Sequence, residues 1–584
     1  MVWEPQTRIY SYWSTQKWRK SLTYHQPRNS TFWKNVLKLD PMMESVCLCV
    51  ELVFGNGETI NVSTKAISSR KKLSSSVPGN EETVVYKPLL VKAPAIQNVV
   101  SMGGGSSSAR SFTLNVSQLD IDVYSILTSR RFLAGYGEIS LQVDGQWWED
   151  RWVILKGDMN GGVRFGGEDE MIDLEIVDPK DIDDLQIPVV RLTTEDWPDM
   201  PENNLGYRIP MAINNVSTVP CVRVYNLPPS LGNDLAFVGF HSPLGQHFQK
   251  NAYVNGEEKN PGDAGYPYNI SLGETQNVSF FQYNFVTGGT GVWEDSDTVY
   301  VPASIDGGES PDGTEITLIE VIRYLCVEWS TLGLANINED MFSRAMSKQA
   351  IALIPSVLLN GSGNTNSATA IKYIEDVLCK SYPMVSMAWQ DGGYGPVYYD
   401  RRVEPVMELR VGQYPLIKRR TAITETAKEE LKNRFTINFD YDAMTDTHRG
   451  LITRDASNST LCALSANQAG TREMDMLESK VIPSTASLLG APDSITADWQ
   501  ANHVIDWYVQ HYTLPSYYAE FDAFAAVYLQ LALGDNVILY DETITKDPIS
   551  ATVEKISIEP GKAVLGLRMW ILYDLVAVSS RSTN

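Results

Sequence analysis

Cysteine is thin in this chain: six residues in 584, namely Cys47, Cys49, Cys221, Cys326, Cys379 and Cys462. No two of them have the CxxC spacing of a zinc or redox site. Cys47 and Cys49 stand two apart in an apolar, strand-like run and so point to one face. They read as buried thiols, which suits assembly in a reducing cytoplasm. Histidine is equally sparse, with six residues, and this limits acid–base chemistry. Long apolar runs are missing too. The best stretch, 565–578, is broken by Arg568 and Asp574, so no spanning helix of about 18 or more residues and no stable membrane insertion are expected. The signatures HExxH, GxxxxGK[ST] and GxSxG are absent, which removes the usual metalloprotease, phosphate-loop and serine-hydrolase readings. Positive charge is also short, with 48 Lys and Arg against 71 Asp and Glu and a net charge of −23. Phosphate binding depends on Lys and Arg, so a protein that coats nucleic acid is disfavoured. The charge instead favours solubility.

What the chain does have is mass for several cores. Apolar residues make up 43% and aromatic residues 10%, with 14 Trp and 28 Tyr, so global disorder is excluded. A chain of this length is too long for one core, and about three or four domains are expected. The first 41 residues are basic and tryptophan-rich: Arg8, Lys17, Arg19, Lys20, Arg28, Lys34 and Lys38 face only Glu4 and Asp40. They lack the apolar centre and small-residue site of a secretory signal. Two readings stay open: a peripheral arm lying on an acidic neighbour, or an extension before a start near Met42 or Met43.

Residues 86–179 carry the clearest pattern. Short apolar runs (YKPLLVKAPAI, ARSFTLNV, GEISLQVDG, EDRWVILKGDM, GGVRFG, MIDLEIVDP) alternate with Gly, Asp-Gly or Pro breaks, as in a sheet that curls on itself. Before them, 46–54 and 59–63 flank an Asn56-Gly57 hairpin turn, whereas 71–82 and 103–108 read as mobile loops. Residues 186–310, rich in Pro, Asn and Gly, read as loop-rich. From 311 the period turns helical: a capping box at Asp312/Glu315 starts a stripe through Ile316, Ile322 and Trp329. A second helix is predicted over 341–353 and a third through Ile371 and Leu378. A hairpin follows across Asp391-Gly392-Gly393. Near the C-terminus a helix over 498–511 precedes strands at 518–527, 529–533, 537–540, 552–558 and 563–572.

The expectation is a β-rich, multidomain α+β chain. Its parts are a basic extension (1–42), a first curled β domain (43–185), a loop-rich insertion or bridge (186–310), a mixed α+β domain (311–435) and a second β domain with one helix (436–584).

Candidate chemistry is weak everywhere. Gly103-Gly104-Gly105 is followed by serines and no lysine-bearing helix, so it does not cradle phosphate. His241 and His247 stand six apart. His503 and His511 lie two helical turns apart, about 12 Å along the axis, too far for one metal. Asp440, Asp442 and Asp446, with His448, form the densest acidic cluster; as alternate strand residues Asp440 and Asp442 would share a face and could bridge a cation. The glycine and distal glutamate of a calcium loop are missing. Asn-x-Ser/Thr triplets, such as those at Asn115, Asn215, Asn269, Asn277 and Asn360, follow from composition. No catalytic, cofactor-binding or metal-binding residue is assigned, and no cofactor is expected.

The order of elements resembles bacteriophage tail hub proteins. The resemblance rests on 85–96 (VYKP…APAI), Phe112-Thr113-Leu114-Asn115, Gly137-Glu138-Ile139, Asp144-Gly145 and Leu155-Lys156-Gly157. In the second half it rests on the helix before Pro515, on Leu533-Gly534-Asp535-Asn536-Val537 and on the closing hairpin around Gly561. Ser465 to Gly470 sits where hubs carry a Ser-Glu-x-x-Tyr-Gly segment, but Asn467-Gln468-Ala469 departs from that pattern. Residues 186–310 are longer and looser than the family suggests.

The resemblance implies a non-enzymatic structural hub in a phage tail tip or baseplate, assembled in the host cytoplasm. Two tube-like β-barrel modules per chain would give a homotrimeric ring with pseudo-sixfold symmetry. That ring would join the tail tube or distal tail protein to the tip spike or fibre proteins, and DNA would pass through its lumen. The alternatives are a cell-wall- or glycan-degrading tail enzyme, marked by two carboxylates about 5–9 Å apart in a cleft, and a receptor-binding tail protein.

Overall fold

The computed structural model describes Phe32 and most of residues 46–570. The longer stretches outside the description are 1–31, 33–45, 101–110, 126–134, 227–234, 284–297, 305–315, 360–367, 485–497 and 571–584. Two β barrels dominate, one closed with six strands and one nearly closed with seven.

The first barrel runs Thr59–Ser63, Cys47–Phe54, Gly135–Gln142, Trp152–Asp158, Met171–Val177, Ser111–Ser117 and Leu90–Lys92, each antiparallel to the next. Alternation sends Leu48, Val50 and Leu52 into the main core, while Cys47 and Cys49 face a separate outer cluster with Ile67, Val84 and Tyr86. Gly157 lets two strands touch: a Cβ there would lie 2.2 Å from the Val177 carbonyl oxygen. The open seam is bridged by Lys87, whose N–H donates to the Asn61 carbonyl at 3.1 Å and whose carbonyl accepts from Ser63 at 2.8 Å. The outer cluster is roofed by a hairpin of Ile67–Lys72 and Glu81–Tyr86. The ends of the predicted 71–82 loop are therefore strand: Lys71 pairs with Glu82 and Lys72 with Glu81. Their polarity hid them, because the apolar inward residues are only Ile67, Val84 and Tyr86, with Ser69 buried beside them.

The second barrel closes in the order Leu416–Arg419, Met407–Val411, Asn536–Tyr540, Ile549–Glu559, Lys562–Trp570, Tyr517–Phe524 and back to Leu416–Arg419. Two of its strands thus come from residues read as the end of the mixed domain. The expected strand at 529–533 does not form, since Leu531–Leu533 lie outside any strand and lead into the Gly534 turn. Between the barrel's early and late strands the chain inserts a three-stranded sheet and two helices, Thr460–Ala469 and Trp499–Tyr512. Ser465 to Ala469, aligned with a hub segment from sequence, is the end of the first of these helices, capped by Gly470 at φ 76°.

Helix Leu318–Glu328 begins at a capping box of Thr317 and Glu320, one turn beyond the sequence expectation at Asp312/Glu315, which lies outside the described residues. The second helix, Glu339–Lys348, stops short of Leu353. The third spans Ala370–Ser381 with a π turn at its centre. Residues 186–310 contribute strands to a six-stranded sheet, to a five-stranded sheet and, through Gln186–Ile187, to a pair with Ala368–Thr369; strands of three to five residues such as Met211–Ile213 and Val216–Pro220 leave little periodicity to read.

Candidate functional site

The chemistry of this chain is concentrated where the two barrels meet. Hairpin Val385–Gln390/Gly393–Tyr398 is buried along its whole length. Its tip lies on the first barrel, where the Gly392 N–H donates to the Ile154 carbonyl at 3.0 Å. Its far strand lies on the second barrel at Gly534, where φ is +73° and a Cβ would meet the Tyr398 carbonyl oxygen at 2.6 Å. Glycine is required there by both conformation and space.

A second link is a shared strand. Ile96–Val99 leaves the first module and pairs antiparallel with Ile549–Glu559, matching Ile96 to Ile558 and Val99 to Lys555. The Val100 N–H extends the ladder to the Glu554 carbonyl at 2.9 Å. The early part of the same 549–559 strand pairs with 536–540. One edge therefore carries a wall strand of its own barrel and a strand lent by the other module.

Three buried ionic groups brace this junction. Asp535 follows Gly534 and meets Lys348 Nζ at 2.7 Å and Arg344 at 3.7 Å, while the ammonium also donates to the Gly534 carbonyl at 2.9 Å. Burial works against the Asp535 charge, and Lys348 and Arg344 outweigh it, holding the carboxyl below the usual range. Asp400 is likewise buried and is gripped by both ends of the Arg402 guanidinium at 2.6–3.0 Å. Burial would raise it, but Arg402 keeps it low. Glu554 accepts from Arg568 at 2.6 Å and from the Tyr399 hydroxyl at 2.9 Å.

A cleft of about 440 Å³ opens beside this last group, between Val99, Val100, Tyr518 and Arg568. Its two glutamates are Glu430 and Glu554, and Glu554 is committed to Arg568 and Tyr399.

The histidines on helix Trp499–Tyr512 are structural. His511 stacks on Trp507 with ring centroids 4.2 Å apart. Its Nδ1–H donates to the Trp507 carbonyl at 2.8 Å, since a carbonyl only accepts, and Nε2 accepts from the Arg401 N–H at 3.4 Å. Burial drives His511 down to about 3 and His503, beside Arg402, to about 4, so both are neutral at pH 7. The side chains of His241 and His247 lie outside the described residues.

The Asp440/Asp442 pair does not converge as expected. Asp440 takes φ +57°, yet the register runs on unbroken across it, with Phe439 opposite Gly450 and Tyr441 opposite His448. What changes is the buried side, which passes from Phe435, Ile437 and Phe439 to Asp442. Asp442 turns inward, accepting from Thr218 at 2.7 Å and pairing with Arg449 at 2.5 Å. Burial opposes its charge; Thr218 and Arg449 hold it low. Among the described residues no group of three His, Cys, Asp or Glu side chains is arranged to hold a metal, and no helix is long and apolar enough to cross a membrane. All six cysteines are free.

Phe32, inside the basic N-terminal extension, is fully buried in the main core, with its ring 5.8 Å from that of Trp152. At that residue the extension is packed rather than peripheral. The sequence signal was a lone Phe32-Trp33 pair between Thr31 and Lys34, which carries no periodicity to read.

No family model matches this chain, and no curated protein does. Among the solved structures that align with it are the following three. A chain of a lidded Francisella PdpA–VgrG complex is 6% identical at a TM-score of 0.30; the alignment covers 92% of this chain and 55% of that one. Two phage P2 baseplate structures, a topological model of the activated virion baseplate and the activated baseplate with Ca, are each 10% identical at a TM-score of 0.17. Each covers 62% of this chain and 88% of its own. The chain spans little more than half of the Francisella chain. Overlaps of this size fall short of a shared fold, so the role has to be read from the chain's own barrels.

Proposed function

We propose that this chain is a structural hub subunit of a phage tail tip or baseplate, working by assembly rather than catalysis. The observation that carries the reading is the pair of barrels in one chain, locked by the lent strand Ile96–Val99 and the hairpin at 385–398. Two modules held in fixed relation are what a ring needs if a sixfold tube is to meet a threefold tip: three copies supply six barrels with three identical contacts. The resemblance of the strand plan to tail hubs supports the same reading, with a tail tube or distal tail protein on one side and spike or fibre proteins on the other.

The charge fits a conduit. Removing the basic arm leaves the body more acidic than the whole chain's −23, and a lumen of that sign repels phosphate and does not hold passing DNA. The cleft beside Glu554 is a poor hydrolase site, because its buried carboxylate is spent on Arg568 and Tyr399. The first test is the mass of the purified chain by light scattering across concentration. The reading expects a species of three chains; a monomer throughout, or a stable dimer, counts against it.

A further inference from the structure

Four strands in the described residues pair with a single neighbour and expose a large apolar side chain: Glu81–Tyr86, Leu90–Lys92, Ile96–Val99 and Thr447–Arg454. The two longest offer the most edge. One is Thr447–Arg454, the outer strand of the three-stranded sheet, which pairs only with Phe435–Asp442. It is eight residues long, contains no proline or lysine, and exposes Leu451 to 66%. The other is Glu81–Tyr86, paired only with Ile67–Lys72, which exposes Val85 to 59%. Edges of this kind are normally blunted by lysine, proline or a covering element, since a row of free N–H and C=O groups recruits another strand.

The two edges are complementary. The first carries His448, Arg449 and Arg454 and no acid; the second carries Glu81 and Glu82 and no base. Arg449 and Arg454 are anchored by Asp442 and Asp506 on their own chain. That anchoring occupies only part of each five-donor fork and fixes the guanidinium near the edge. Self-pairing of either edge would set like charge against like and would build a twofold dimer. Pairing one edge with the other lets Glu82 meet Arg454 and is head-to-tail, the geometry that closes a ring.

We infer that strand Thr447–Arg454 of one copy adds to strand Glu81–Tyr86 of the next, antiparallel, with Leu451 against Val85. In that register Glu82 faces Arg454 and Thr83 faces Thr453, and the ladder ends at Tyr86, since the Lys87 backbone is already bonded to Asn61 and Ser63 of its own chain. The occupant of each edge is a second copy of this chain. This inference rests on the ring proposed above, and it adds the surfaces through which the ring is made.

The test is a cysteine pair in the full chain, V85C together with L451C, oxidised by oxidised glutathione and read on a non-reducing gel. Both sites are exposed, so folding is not at risk, and five of the six native thiols are buried, which keeps the wild-type background low. The expected result is covalent dimers and trimers from the double variant, with neither single variant cross-linking. Dimers from L451C alone would overturn the inference in favour of self-pairing. A trimer by light scattering whose double variant does not cross-link would overturn it and leave the ring standing. A monomer that does not cross-link would overturn both.

Discussion

Lys348 and Asp535 are the two residues on which the junction most depends. The ammonium and the carboxylate meet at 2.7 Å and are almost wholly buried. Replacing Lys348 by Met leaves Asp535 charged in the core, with Arg344 at 3.7 Å as its remaining cation. Breaking a buried pair in this way costs about 3–5 kcal/mol. The urea midpoint of K348M should therefore fall steeply, and a midpoint equal to wild type would contradict the role given to the pair.

The histidines make a prediction of a different sign. His511 and His503 titrate in the folded chain near 3 and 4 because burial disfavours their charged forms, whereas the unfolded chain takes up those protons below about 6.5. Their contribution to stability is therefore complete above about pH 6.5 and is lost as the pH falls towards 4 and then 3. The charged groups around them, Asp400, Arg401, Arg402 and Asp506, do not reverse either shift. H511F keeps the stack on Trp507 and removes one of the two protons. Its urea midpoint should fall less than that of wild type between pH 7 and pH 4.5; equal slopes would refute the assignment.

At the scale of elements, what the sequence made legible follows from where periodicity is strong. The runs between Tyr86 and Pro179 became strands Leu90–Lys92, Ile96–Val99, Ser111–Ser117, Gly135–Gln142, Trp152–Asp158, Arg164–Phe165 and Met171–Val177. The Asn56-Gly57 and Asp391-Gly392 turns, the helix at 499–512 and the last hairpin were also readable, because each has a turn residue or an amphipathic face. Closure of the second barrel was not. It depends on Met407–Val411 lying parallel to Asn536–Tyr540, more than a hundred residues away, and no local pattern encodes that partner. Nor could alternation foresee Asp440, whose left-handed backbone precedes a change of buried side from Phe439 to Asp442. The first run concealed a further fact: it splits, and its second half serves the other barrel. That lent strand can be tested by V100P, which removes the N–H that donates to the Glu554 carbonyl. Loss of one ladder bond and its packing should cost about 3 kcal/mol or more. Amide exchange across 553–558 should quicken with it; unchanged protection there would show that the strand is not a joint.

On the scale of the whole molecule, the barrels, the buried hairpin and the helices around it share one continuous hydrophobic core. Such a core resists hinge motion between the barrels and holds them as one rigid piece. A rigid pair of barrels is what the proposed ring requires. In the proposed ring, three copies of this chain set both of their barrels around one channel. The most direct measurement is a cryo-electron microscopy reconstruction of the particle that contains the chain, solved without imposed symmetry at its tip. Three copies are expected, with first and second barrels alternating around a DNA-wide lumen. Six copies, or three copies with only one barrel facing the channel, would contradict the proposed ring.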